Sequence, residues 1–293
     1  MPLTLPPMPP LRLPADWPHR DWSRSLRVGA LDWHVQVAGR GPVVLWLHGS
    51  GASAHSWAEV LPELTDVCTV VAPDLPGHGF TLGAGMDMLT LPRIAAELRA
   101  LIQALGVAAP TLIVGHSAGA ALGLRLALDA PPPRGVLGFN PSLVAPSEVY
   151  TRLMAPLLNP LATSAPMAWL LSAIAPGTGM IERLLNSTGS DVPAAQRARY
   201  RLLFGRADHV RGALGFMAAA DLPALIKAGP TLKTPPTFVL GTRDAWVPEA
   251  PLSAAIARGF PQATVHRWPG GHLLHEEMPG DAAALVRQRL VAG

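Results

Sequence analysis

Short apolar runs and amphipathic helical patterns alternate along most of this 293-residue chain, and this alternation limits the possible folds more than any other feature. The continuous apolar runs at 43–47 and 111–114 are typical of strands that are buried on both faces. Between them, residues 91–105 repeat apolar side chains at helical spacing. The sequence therefore predicts an α/β fold, in which helices cover both faces of a mostly parallel sheet.

Two stretches depart from this alternation. Residues 1–24 are rich in proline and then carry aromatic residues such as Trp17, which predicts an extended N-terminal arm that docks through its aromatic side chains. Residues 141–230 show apolar periodicity without β-branched runs, which predicts several short helices. We therefore expect an α/β core at 25–140 and 231–293, with 141–230 inserted as a helical cap above the carboxyl ends of the strands.

Two local patterns give further predictions. The alternating apolar and polar side chains of residues 31–37 end near two glycines, which predicts a half-buried strand followed by a hairpin turn. Residues 56–64 are predicted to form a helix.

Composition excludes several classes of function. The net charge is +3 and the arginines are scattered, so the sequence predicts no nucleic-acid partner. Every long apolar stretch is interrupted before the roughly 20 residues that a spanning helix needs, which predicts that no segment crosses a membrane. Cys68 is the only cysteine, so no internal disulfide can form and a cytoplasmic location is expected.

The sequence also predicts neither a metal nor a cofactor. His48 follows an apolar strand, but no second ligand lies at a usable spacing. Asp208 and His209 form a lone polar pair, which we expect to be solvated or hydrogen-bonded rather than coordinating. Gly49 and Gly51 are not followed by the third glycine and the distal acidic residue of a dinucleotide-binding turn.

The pentapeptide Gly-His-Ser-Ala-Gly at 115–119 carries the strongest signal for chemistry. An apolar strand runs directly into it and an alanine-rich helix leaves it, which is the arrangement of a nucleophile elbow. Ser117 would then present its hydroxyl at the N-terminus of a helix, where backbone N–H groups favour developing negative charge. A glycine-containing turn with no catalytic role is the alternative interpretation.

A serine hydroxyl needs a base and a carboxylate that orients the base. Asp244 and His272 each follow a predicted strand at its carboxyl end, and the chain order Ser117, Asp244, His272 is that of a nucleophile–acid–base triad. The glycine-rich turn after residues 43–47 can direct a backbone N–H into the same cleft. We therefore predict that the amides of Ser50 and Ala118 form an oxyanion hole.

Four motifs together resemble the α/β-hydrolase superfamily over almost the whole chain, and they agree with it in type and order. The resemblance implies the α/β-hydrolase fold, with a helical cap inserted into the core. A serine nucleophile at 117 argues against the haloalkane dehalogenase and epoxide hydrolase branches. The four motifs are Leu-His-Gly-Ser-Gly at 47–51, Asp-Leu-Pro-Gly-His-Gly at 74–79, Gly-His-Ser-Ala-Gly at 115–119 and Gly-His-Leu-Leu-His-Glu at 271–276.

A narrower resemblance is carried by Trp-Pro-His-Arg at 17–20 with Ser-Arg at 23–24, by residues 115–126, by His-Val-Arg-Gly-Ala-Leu at 209–214 and by Ala-Asp-Leu at 220–222. These segments are similar to the magnesium-chelatase accessory proteins of bacteriochlorophyll biosynthesis. That family implies a role in photosynthesis around the insertion of magnesium into protoporphyrin, with magnesium-chelatase subunits as partners.

Three functions remain open at this point. The chain can have a chelatase accessory role and also hydrolyse an ester or acyl bond through its triad. It can be a general serine esterase of a small apolar ester, or a tetrapyrrole-binding protein without catalysis. The predicted ligand pocket, which ordinary packing of cap helices would also explain, consists of Met154, Trp169, Phe216, Met217 and Trp246.

Overall fold

An eight-stranded sheet forms the centre of the computed structural model, which describes residues 13–129, 132–144 and 164–291. The strand order is β1-β2-β4-β3-β5-β6-β7-β8. The first two strands pair antiparallel and the other six run parallel, so the predicted α/β-hydrolase sheet is confirmed. The strands are β1 (Ser23–Val28), β2 (Leu31–Gly39), β3 (Val43–Leu47), β4 (Thr69–Pro73), β5 (Leu112–His116), β6 (Gly135–Phe139), β7 (Thr237–Gly241) and β8 (Thr264–Trp268).

Helices follow most of the parallel strands, and five of those in the described residues lie between β6 and β7. They are α1 (Leu91–Leu105), α2 (Ala118–Leu128), α3 (Ala165–Ile174), α4 (Met180–Asn186), α5 (Ala194–Phe204), α6 (Ala207–Ala219), α7 (Leu222–Ala228), α8 (Glu249–Gly259), α9 (Leu274–Glu277) and α10 (Pro279–Val291). None of these helices is both long and apolar enough to cross a bilayer. The division of the chain into arm, core and cap stays a prediction.

The strand β3 is buried on both faces of the sheet, which explains why its residues are apolar without interruption. Val43, Leu45 and Leu47 pack into the core on one side of the sheet, which also contains side chains of α1 and α2. Val44 and Trp46 pack into the core on the other side, together with side chains of α10. Because successive side chains point to opposite faces, a strand that is covered on both sides must be apolar at every position.

The predicted hairpin after residues 31–37 is wrong. β2 pairs with β1 and with β4, and β3 lies on the far side of β4. The strand β3 is apolar on both faces and therefore occupies the interior of the sheet, between β4 and β5. The predicted helix at 56–64 is also wrong, because the structure has two short 3₁₀ turns there and Pro62 lacks the N–H that a continuous helix would need.

The described part of the N-terminal segment lies against the sheet. Trp17 is 4% exposed, and its ring meets that of Phe80 edge-on at 4.8 Å. The Gln36 side chain donates a hydrogen bond of 2.7 Å to the carbonyl of Pro18. β1 already begins at Ser23, two residues before the predicted start of the core.

Candidate active site

Ser117 lies in the sharp turn between β5 and α2. Its backbone has φ 50° and ψ −117°, a combination that is strained for any residue with a side chain. A side chain at Gly119 would meet the His48 carbonyl at 2.5 Å, so the helix can approach the end of β3 only because this residue is glycine. The strained turn holds the serine hydroxyl above the carboxyl ends of the strands.

Ser117, His272 and Asp244 lie in one hydrogen-bonded row. The Ser117 hydroxyl donates to Nε2 of His272 over 3.1 Å, and Nδ1–H of His272 donates to Oδ2 of Asp244 over 2.8 Å. The His272 and Asp244 side chains are each only 4% exposed. In this arrangement the carboxylate fixes the imidazole tautomer whose free nitrogen faces the serine.

The carboxylate of Asp244 is oriented by the turn that contains it. Its Oδ1 accepts hydrogen bonds from the backbone amides of Trp246 at 2.8 Å and Val247 at 2.9 Å. Oδ2 is thereby directed at His272.

Asn140 holds the loops of Asp244 and His272 together, and the sequence reasoning missed it. Its side-chain amide donates to the carbonyls of Gly271 at 2.8 Å and His272 at 2.9 Å. Its Oδ1 accepts from the amide of Gly241 at 2.6 Å. The available signal was its position directly after β6, since polar residues at the carboxyl ends of parallel strands face the ligand-binding edge.

The backbone of His272 is also fixed from two other directions. His116, which the motif places beside the nucleophile, donates from Nε2 to the His272 carbonyl over 2.8 Å. Burial holds the pKa of His116 well below its usual value, with the nearby His275 adding to this effect. The amide of His272 donates to the carbonyl of Thr188, just after α4, over 2.9 Å. The inserted helices therefore help to position the predicted base.

A buried polar network lies next to His272, the predicted base. Oε1 of Glu276 accepts hydrogen bonds from the hydroxyls of Tyr200 at 2.6 Å and Ser56 at 2.8 Å. Burial raises the pKa of Glu276 to about 7 and lowers that of His275, which contacts Ser56 at 2.6 Å, to about 3. Tyr200 belongs to α5, so the network joins an inserted helix to the core.

The residues that carry the two predicted oxyanion-hole amides line one cavity, which lies above Ser117. Ser50 and Ala118 both line it, as does Ser117. Within the described residues, neither backbone N–H has a hydrogen-bond acceptor. No described residue therefore competes with a substrate oxygen for these two predicted donors.

The cavity above Ser117 has a volume of about 190 Å³ and includes three of the predicted pocket residues, Phe216, Met217 and Trp246. The prediction for Trp169 is wrong, because this side chain is 65% exposed. α3 buries Ala168 and Ser172, and residue 169 is turned about 80° from the middle of that face. Met154 lies outside the described residues.

The cavity wall is mostly apolar in the part of the chain that the structure describes. Among the described lining residues there is no lysine or arginine. Among all the residues that the structure describes, no group of three or more His, Cys, Asp or Glu side chains is arranged to hold a metal ion.

Comparison with known proteins adds the family context. The model of the Alpha/beta hydrolase family matches residues 43–285. The magnesium-chelatase 30 kDa subunit of Rhodobacter capsulatus is 41% identical over 274 residues, which cover 92% of this chain and 94% of that protein. The pyrrolizixenacetamide deacetylase of Xenorhabdus hominickii is 27% identical over 92% of this chain and 98% of its own length.

Solved structures resemble the fold across nearly its full length. A haloalkane dehalogenase loop variant from Bradyrhizobium elkanii has a TM-score of 0.72 at 22% identity, covering 92% of this chain and 96% of that chain. A variant of epoxide hydrolase from Solanum tuberosum has a TM-score of 0.71 at 19% identity, covering 92% of this chain and 99% of that chain. At these identities the likeness concerns the fold alone.

Proposed function

Since this chain belongs to the alpha/beta hydrolase family, we propose that it is a serine hydrolase, which cleaves an ester through an acyl-enzyme on Ser117. The observation that carries the proposal is the 3.1 Å hydrogen bond from Ser117 to His272 at the floor of an apolar cavity. A second relative is named a deacetylase, and removal of an acetyl group is acyl transfer of the same kind.

The first half of the reaction forms the acyl-enzyme. Ser117 Oγ attacks the carbonyl carbon of the ester while its proton passes to Nε2 of His272. Asp244 stabilises the resulting imidazolium through Nδ1–H. The amides of Ser50 and Ala118 donate to the oxyanion, and the C–O bond then breaks as His272 gives its proton to the leaving alcohol.

The second half of the reaction regenerates the serine. His272 takes a proton from a water molecule, and the oxygen of this water attacks the acyl carbon. The bond to Ser117 Oγ breaks, the serine recovers its proton from His272, and a carboxylic acid leaves.

The substrate class follows from the wall of the cavity. With no cation in the described lining, an anionic substrate would lose water without gaining a charged partner, so a neutral apolar ester is favoured. A second cavity of about 90 Å³ adjoins the first, and Phe204 and Met217 line both. Its other walls include Leu171 and Ile181, which suits it to an alkyl arm of the substrate.

A role beside magnesium chelatase, in bacteriochlorophyll biosynthesis, is the second part of the proposed function. It is supported by the 41% identity to the chelatase 30 kDa subunit over nearly the full length of both proteins. Subunits of the chelatase are the expected partners. The cytoplasmic location stays a prediction from cysteine usage.

Tetrapyrrole binding without catalysis is less well supported. Protoporphyrin carries two negative propionates, and the described lining offers them no lysine or arginine.

Covalent labelling of Ser117 tests the proposed hydrolase activity. A serine-directed fluorophosphonate should label the wild type and the control Ser172→Ala, in which a buried serine on α3 loses only a local bond to the Trp169 carbonyl. Ser117→Ala should not be labelled, and its turnover of a short activated ester should fall by about 10³-fold or more. An unlabelled wild type that also turns over no ester would refute the hydrolase.

Complementation separates the two parts of the proposal. A phototroph that lacks its own copy of this protein should regain magnesium chelation with the wild type but not with Ser117→Ala. Full rescue by Ser117→Ala would make the hydrolysis unnecessary for the pathway. Failure of both proteins to rescue would leave a general serine esterase unrelated to pigment synthesis.

A further inference from the structure

One face of α6 lies across the loop that carries the Ser50 amide. This face consists of His209, Gly212, Ala213 and Phe216, which are spaced at i, i+3, i+4 and i+7 and are all buried. Residues at this spacing lie on the same side of a helix. The sequence singled out 209–214 as a distinctive segment, and the proposed reaction does not use it.

His209 bridges two loops of the core. Its Nδ1 accepts the amide N–H of Gly79 over 3.0 Å, so the ring proton is on Nε2, which donates to the Gly51 carbonyl over 3.1 Å. Burial lowers the pKa of His209 to about 3, with His48 adding to this effect. The ring therefore stays neutral and keeps both hydrogen bonds at any pH at which the predicted base could act.

Two further contacts join α6 to the same loops. The Ser50 hydroxyl donates to the Ala213 carbonyl over 2.9 Å. Gly212 lies against the backbone of Gly77, and a Cβ at residue 212 would fall 2.6 Å from the Gly77 Cα. The helix can approach this closely only because residue 212 has no side chain.

The core holds the loop from its other end. Nε2 of His48 accepts the amide N–H of Leu75 over 2.9 Å, and the Ala54 amide donates to Oδ1 of Asp74 over 2.7 Å. The side chain of Ser50 and the carbonyl of Gly51, by contrast, are bonded to α6. The direction of the Ser50 N–H is therefore set by an inserted helix as well as by the sheet.

We propose that α6 fixes the loop that carries the Ser50 amide, and that His209 is a positioning residue for this oxyanion-hole donor. The kinetic consequence rests on the proposed hydrolase function. Loss of a whole oxyanion donor lowers kcat by about 10²- to 10³-fold, so a donor that is only misaligned should lower it by about 10- to 100-fold. The inserted helices would then complete the catalytic site in addition to covering it.

Hydrogen exchange tests the contact without any need for activity. Amide exchange in peptides that cover residues 48–53 should be at least about tenfold faster in His209→Ala than in the wild type. Ser50→Ala, which keeps the amide and loses the 2.9 Å bond, should show a smaller increase. Ser172→Ala is the matched control, since it removes a hydroxyl–carbonyl bond of 2.8 Å elsewhere in the inserted helices. Unchanged exchange in both test variants would overturn the proposal.

Steady-state kinetics tests whether a misaligned Ser50 amide lowers kcat. In His209→Ala, kcat for a short activated ester should fall by about 10- to 100-fold while KM changes little, because the oxyanion is present only in the transition state. Affinity for phenylboronic acid, which forms a tetrahedral adduct with serine, should fall in proportion. His209→Gln, which can still donate to the Gly51 carbonyl, should recover part of both losses, whereas a role in folding alone would raise exchange throughout the chain.

The hydrogen-exchange and kinetic measurements together separate this proposal from the hydrolase proposal. Faster exchange in His209→Ala with full kcat in an active enzyme would overturn the positioning role. If the wild type neither labels nor turns over ester, the proposed hydrolase fails, and exchange at residues 48–53 still decides whether α6 fixes the loop. Should His209→Ala fail to fold, Ser50→Ala and His209→Gln provide the same comparison.

Discussion

Replacing Glu276 with glutamine should remove a pH-dependent part of the stability of this protein. Burial raises the pKa of this carboxyl from 4.5 to about 7, against the hydrogen bonds from Tyr200 and Ser56. The folded protein therefore holds the proton more tightly than the unfolded chain does. The resulting stabilisation is complete below pH 4.5 and is lost as the pH rises through 7.

The size of the effect follows from the two pKa values. They differ by about 2.5, and at about 1.4 kcal/mol per pKa unit the stabilisation amounts to about 3 kcal/mol. Glutamine keeps an oxygen that can accept the bonds from Ser56 and Tyr200, so the variant should fold. The free energy of unfolding of the wild type, relative to Glu276→Gln, should fall by about 3 kcal/mol between pH 4 and pH 8.

Urea unfolding at a series of pH values measures this difference. Groups that titrate in both proteins cancel in the comparison, which leaves the contribution of residue 276. Val286→Ala is a control, because it removes buried apolar atoms and no titratable group, and its difference from the wild type should not change with pH. If the Glu276→Gln difference changes by less than about 1 kcal/mol over this range, the assigned protonation state is wrong.

Three other outcomes are expected. Asn140→Ala should lower kcat by about 10²-fold and reduce Tm, because it frees the loops of the acid and the base; unchanged kcat would refute this positioning role. Leu171→Trp, which fills the second cavity, should lower kcat/KM for an octanoyl ester but not for an acetyl ester, while Leu170→Trp on the exposed side of α3 should affect neither. In the Glu276→Gln background, stability should fall between pH 6.5 and pH 3, because burial keeps His209 and other histidines neutral in the folded state; urea unfolding that is constant over this range would contradict it.

The sequence was sufficient to predict the features that depend on neighbours along the chain. The elbow at Ser117 is a strand, a tight turn and a helix that follow one another between Leu112 and Leu128, and each leaves a local pattern. The parallel sheet follows from alternating apolar runs and helices. Asp244 and His272 were predicted as partners of Ser117 because parallel strands end at a common edge, so the residues just beyond them must face one cleft.

Contacts between distant segments were decided only by the tertiary structure. Asn140 bonds to residues more than 100 positions away, and no local pattern marks these partners. α3 is apolar on several sides, so its sequence could not indicate that Trp169 faces outward. His209 looked like part of a lone polar pair until the fold placed Gly51 and Gly79 on either side of its ring. Periodicity along a chain specifies which face of a helix is buried, whereas the partner of that face depends on how all the helices pack together.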